Sequence, residues 1–150
     1  MNKRLIGLVT AGALALGAVG VTAQLPASAT TRDCTYTIGW YKQDASRIVG
    51  PDLTVELANA ILAKTGKSSL VAVLWASPQG SADLIAAKQL IAAAANGYPG
   101  GQGFQGTVGN AFYALAEYFE GKQSLTPAEV TAAAAVLDSY NNGLLGVPHC

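Results

Sequence analysis

Apolar positions along most of this chain recur at helical spacing, and capping residues mark where each run begins and ends. Pro51-Asp52 opens a segment to Thr65 with Leu53, Leu57 and Ile61 on one face and Gly66 as its stop. Ser68 or Ser69 is placed to cap a short helix, Leu70 to Ala76, ended by Pro78. That helix is apolar almost all round (Leu70, Val71, Val73, Leu74, Trp75), which predicts a central position. Ser81 caps a longer helix with Asp83 in its first turn, a buried stripe of Leu84, Ile85, Leu90 and Ile91, and a stop at Asn96-Gly97.

Residues 97–109 read as a glycine-rich loop. A further helix carries Phe112, Leu115 and Phe119 on one face and closes at Gly121. Thr126-Pro127-Ala128-Glu129 is the sharpest local signal. Thr caps, Pro takes the first helical position, and Glu three residues after the cap bonds back. This helix runs to Asn142, before Gly143. The alanine runs 92–95 and 132–135 favour helix and let neighbours approach closely. By contrast, Cys34 to Lys42 alternates Thr with aromatic residues and predicts an extended arm laid over the domain by Tyr36, Trp40 and Tyr41. The expected fold is all-α: a single small bundle of about five helices with an extended N-terminal arm, one disulfide joining the ends.

The start of the chain changes the setting. Lys3 and Arg4 precede an uncharged apolar stretch from Leu5 to Val21, followed by Pro26 and Ala27-Ser28-Ala29. A basic head, an apolar middle and small residues before a cut form an export signal, expected to be removed after Ala29. The apolar stretch is short for a membrane span and is interrupted by Gly7, Gly12, Gly17 and Gly20. Residues 30–150 then form the secreted domain, with no membrane attachment expected after cleavage. Cleavage removes two of nine basic residues, leaving seven against nine acidic ones, a formal charge of −2. That balance gives nucleic-acid or anionic-membrane partners little electrostatic support.

Two cysteines remain, Cys34 and Cys150. In an oxidising compartment an even pair most simply forms one bridge, worth up to about 4–5 kcal/mol by loop-closure entropy. Two free thiols or an intermolecular bridge are the alternatives.

Candidate chemistry is sparse. Gly101-Gln102-Gly103-Phe104-Gln105-Gly106 matches a dinucleotide-binding pattern, but that fingerprint needs a preceding strand, and an alanine-rich helix precedes it here. Gly66-Lys67-Ser68 resembles a phosphate loop, yet the earlier glycine it requires falls on Ile61. No cofactor is expected. His149 is the one histidine and sits beside Cys150, where terminal packing suits it better than catalysis. One His and a bridged cysteine pair are too few ligands for a catalytic metal. Carboxylates could still serve a small hydrolase. Glu117 and Glu120 share a helical face, and Asp44, Asp52, Asp83 and Asp138 are further candidates. Such an enzyme needs one of Glu117, Glu120, Asp83 or Asp138 buried in a cleft near a second acid.

Three blocks resemble a family of small bacterial secreted and surface domains. Cys34-Thr-Tyr-Thr-Ile-Gly-Trp-Tyr-Lys-Gln43 is similar to the family opening Cys-Thr-x-Thr-x-Gly-Tyr-Trp-Lys-Asn-His-Pro. Leu70 to Leu74, Pro78, Gly80 and Leu84 to Ala93 resemble its central helical pair, and Leu137 to Gly146 with His149-Cys150 its closing segment. The aromatic order is inverted as Trp40-Tyr41, Gln43 replaces Asn, Asp44 replaces His, and the Pro is missing. No role of that His carries over. The resemblance implies an extracellular module, sometimes part of larger surface proteins, with no enzymatic activity attached, and it supports the terminal bridge.

The function expected is therefore a secreted, non-enzymatic interaction or structural module of the cell surface or extracellular matrix. Its partner would be an extracellular protein, glycan or surface, met by Tyr36, Trp40 and Tyr41. A carboxylate-pair hydrolase and a secreted inhibitor or toxin are the alternatives.

Overall fold

The computed structural model describes residues 34–101 and 103–150; the export-signal reading of residues 1–29 lies outside them. The described residues fold as six helices: α1 (Ile38–Lys42), α2 (Val55–Thr65), α3 (Leu70–Trp75), α4 (Ala82–Asn96), α5 (Gly106–Phe119) and α6 (Pro127–Asn141). Four begin on a hydroxyl cap. Thr54, Ser69, Ser81 and Thr126 each accept a hydrogen bond from the backbone N–H three residues on, and Thr126 and Glu129 complete a reciprocal capping box. Each such cap contributes about 1 kcal/mol by pairing an amide that has no partner within the helix.

The bundle centres on α4. From Ala86 to Asn96 only Gln89 is not buried, and α1, α2, α3, α5 and α6 all pack against this helix. Its alanines make the approach possible. A Cβ on Gly50 would fall 2.2 Å from the Ala94 carbonyl oxygen and 2.7 Å from Ala95 Cα, so the backbone at Gly50 rests directly on α4.

Several features depart from the sequence reading. α2 begins at Val55, because the Thr54 hydroxyl terminates it while Pro51-Asp52 form a turn closed by Leu53 N–H on the Gly50 carbonyl. α3 is peripheral: Val73 and Leu74 face the core, whereas Trp75 is 65% exposed. Leu84 and Ile85 are only partly buried. Helix α5 starts within the expected loop, at Gly106, and Phe104 just before it is buried and stacked on Phe112 with centroids 4.1 Å apart.

The bridge between Cys34 and Cys150 is formed, with Cα atoms 5.2 Å apart across a separation of 116 residues. Beside it, Thr35 N–H donates to the Pro148 carbonyl at 2.8 Å and Cys150 N–H to the Thr35 carbonyl at 2.9 Å. Thr35 and His149 form an isolated parallel bridge in this clip. Ile38–Lys42 coils into a turn of helix instead, since burying Tyr41 outweighs the local preference of alternating Thr and aromatic residues.

Candidate functional site

Two surface features emerge: an aromatic face that joins α1 to α3, and a cleft between the entrance of α2 and α5. The first is aromatic and basic. Tyr36 stacks on Trp40 at 3.9 Å between centroids, and Trp40 meets Tyr41 edge-on at 5.1 Å. These three residues, expected to lay the arm over the domain and offered as possible partner contacts, differ in burial. Tyr41 is fully buried, while Tyr36 and Trp40 remain partly exposed.

Asn96, at the end of α4, fixes this arrangement. Its Oδ1 accepts from the Tyr36 N–H at 2.8 Å and the Tyr41 hydroxyl at 2.7 Å. Its Nδ2 donates to the Tyr36 carbonyl and to Asn141 Oδ1, both at 3.0 Å. All four hydrogen-bonding positions of the side chain are thereby used. Asn141 Nδ2 passes the connection on to the Gln89 carbonyl and Oε1, each at 3.0 Å.

Trp75 completes the aromatic face. Its indole N–H donates to the Lys42 carbonyl at 3.2 Å, so the exposed ring is held by α1. Each tryptophan carries a cation from the same segment: the Lys42 ammonium 5.4 Å from the Trp75 centroid and the Arg47 guanidinium 4.5 Å from that of Trp40. Such contacts add about 0.5–1 kcal/mol at exposed sites and restrict the ring. Nearby, the buried Lys88 ammonium donates to the Ala76 carbonyl at the end of α3. Burial first, and then the Lys42 charge, holds Lys88 below the usual lysine range.

The second feature is an acidic cleft between the entrance of α2 and the outer face of α5, with a volume of about 310 Å³. Leu57, Phe112 and Ala116 supply apolar lining, Thr54 and Tyr113 polar and aromatic edges, and Asp52, Glu117, Glu120 and Lys122 its charges. The Pro51-Asp52 turn packs on Gly97, whose φ of +65° is open to glycine; a Cβ there would lie 3.3 Å from Pro51 Cγ and 3.8 Å from Asp52 Oδ2. Burial pushes the Asp52 carboxyl above its ordinary value.

The sequence candidates divide accordingly. Glu117 and Glu120 do share a cleft with a further acid, Asp52. Asp83 instead accepts from the Tyr118 hydroxyl at 2.8 Å, and Asp138 from Gln89 Nε2 at 2.7 Å. Asp44 caps a short turn at Ala45–Arg47 and pairs with Arg47 at 3.6 Å. Glu120 is paired with Lys122, whose ammonium is held above its usual range chiefly by that contact. His149 lies against Gly143 in the terminal clip.

Sequence reasoning missed Trp75 and Asn96. The available signals were Trp75 at the end of a six-residue helix and one amide closing an otherwise apolar run of α4. No helix among the described residues is long and apolar enough to cross a membrane. No family model matches the chain, and neither a curated protein nor a solved structure matches it.

Proposed function

We propose that the chain is a secreted, non-enzymatic interaction module that engages an extracellular protein, glycan or surface through the aromatic face of α1 and α3. The observation that carries this reading is Trp75: 65% exposed, yet held by its indole N–H on the Lys42 carbonyl. A large ring fixed before contact forms an interface with little further loss of conformational entropy, which is why tryptophan recurs at binding hot spots. The terminal disulfide supports an oxidising setting. The resemblance of the Cys34 and Tyr140 segments to small secreted domains supports the same setting.

The test is retention of Trp40→Ala and Trp75→Ala on cell-wall and matrix fractions beside the wild type. Loss of retention with unchanged thermal unfolding supports the reading; wild-type-like retention of both variants removes it.

One observation favours a second reading, the carboxylate-pair hydrolase: Asp52, raised by burial, lies in one cleft with Glu117 and Glu120. Turnover of glycan substrates that disappears in Asp52→Asn and Glu117→Gln supports it. Absence of turnover by the wild type retires it.

A further inference from the structure

We propose that the Cys34–Cys150 bridge is a redox latch on the aromatic face. Reduction by a dithiol releases Tyr36 and α1 from α4, frees the Trp75 indole and ends partner binding, while α4, α5 and α6 stay folded. The regulation rests on the reading of the aromatic face as the binding surface.

Connectivity is the first argument. Next to Cys34, the buried Thr35 holds the clip from both sides, its N–H on the Pro148 carbonyl and its carbonyl accepting from the Cys150 N–H. The following residue, Tyr36, is joined to the Asn96 side chain by two hydrogen bonds, 2.8 Å from its N–H and 3.0 Å to its carbonyl. Its ring stacks on Trp40 of α1, and the Lys42 carbonyl at the end of α1 accepts the Trp75 indole N–H. The run from Cys34 to Lys42 therefore links the bridge directly to the exposed indole. A hydrogen bond exchanged with water contributes little net, so the covalent link is the largest single restraint on this run.

The distribution of packing is the second argument. From Cys34 to Lys42 only Thr35 and Tyr41 are buried. Helix α1 packs on α3 and α4, whereas the most extensive packing joins α6 to α4 and α5. Segments tied to a core by few buried side chains open as units, at lower cost than global unfolding.

The bridge is also within reach of a reductant, since Cys150 is exposed and Cys34 partly so. A thiolate of the dithiol attacks the Cys150 sulfur, forming a mixed disulfide and expelling Cys34 as a thiolate that takes up a proton. The second thiol of the reductant then displaces Cys150, which is protonated in turn, and the reductant leaves as its own disulfide. Two electrons and two protons pass to the protein.

The experiment follows amide hydrogen exchange in the oxidised protein, in the protein reduced with dithiothreitol, and in the paired Cys34→Ser and Cys150→Ser variant. Exchange at Thr35 and Tyr36 should accelerate at least about tenfold more than at Leu90 in α4 and Leu137 in α6, alike in both bridge-free forms. With Trp40→Phe leaving Trp75 as the sole indole, its fluorescence anisotropy should fall on reduction. The paired variant should be lost from the cell-wall and matrix fractions that retain the wild type. Unchanged exchange at Thr35 and Tyr36, equal acceleration throughout α4 and α6, or undiminished Trp75 anisotropy overturns the latch, as does wild-type retention of the paired variant. Exchange and anisotropy need no partner, so they decide the latch separately from the binding reading on which its regulation rests.

Discussion

The Tyr41 hydroxyl donates to Asn96 Oδ1 at 2.7 Å, and both side chains are buried. Through this contact the N-terminal aromatic segment is locked to the central helix, 55 residues away in sequence. Tyr41→Phe removes one donor from an oxygen that keeps a second, and is expected to cost about 1 kcal/mol. Asn96→Ala strands the Tyr36 amide and carbonyl together with Asn141, and is expected to cost about 3 kcal/mol or more. Urea unfolding of the two variants measures the difference; equal losses would contradict the role assigned to Asn96.

Close approach of the Gly50 backbone to α4 gives a steric prediction. Gly50→Ala pushes a methyl into the Ala94 carbonyl and is expected to destabilise by about 1–3 kcal/mol. Gly66→Ala, with nothing within 4 Å but φ at +66°, should cost only about 1 kcal/mol of backbone strain. Thermal unfolding that ranks Gly66→Ala as the more harmful change would contradict this packing.

Reduction of the Cys34–Cys150 bridge releases a loop spanning 116 residues and should lower stability by up to about 4–5 kcal/mol. Intact mass should rise by two hydrogen atoms on reduction. The paired Cys34→Ser and Cys150→Ser variant should unfold at the temperature of the reduced wild type.

Two groups set opposite ends of the pH profile. Asp52 holds its proton more tightly folded than unfolded, so its effect on stability is most favourable below its ordinary value of 3.8. That advantage is lost as pH rises from 3.8 through the higher folded value. Asp52→Asn should remove this fall and leave the domain more stable than wild type at neutral pH. Tyr118 is pushed up to about 12 by burial and by its hydrogen bond to Asp83. Its contribution is complete below 10.0 and is lost as pH rises through about 12. Tyr118→Phe should flatten the alkaline limb in chemical unfolding between those values; an unchanged limb would contradict the contact.

The capped helices were legible because their signal is local: Thr54, Ser69, Ser81 and Thr126 each carry a cap within four residues of the amide they satisfy, whereas α1, without a side-chain cap, read as an extended arm. The terminal bridge was legible from cysteine parity. Burial was harder to read. An apolar α3 suggests a core helix, but its position beside α1 leaves Trp75 outward, and the alanine-rich α4 takes the centre because thin side chains admit neighbours on every side. The Asn96 hub and the shared cleft of Asp52 and Glu117 depend on how distant segments pack, which no periodicity encodes.

The central claim is that Trp75 meets the partner. The chain has two tryptophans, so Trp40→Phe leaves Trp75 as the sole indole reporter while keeping an aromatic ring for Tyr36 to stack on. Its emission should be that of an exposed indole and open to iodide quenching. On addition of the fraction that retains the wild type, the emission should shift to the blue and the quenching should fall. Retention with unchanged emission and undiminished quenching would contradict the account.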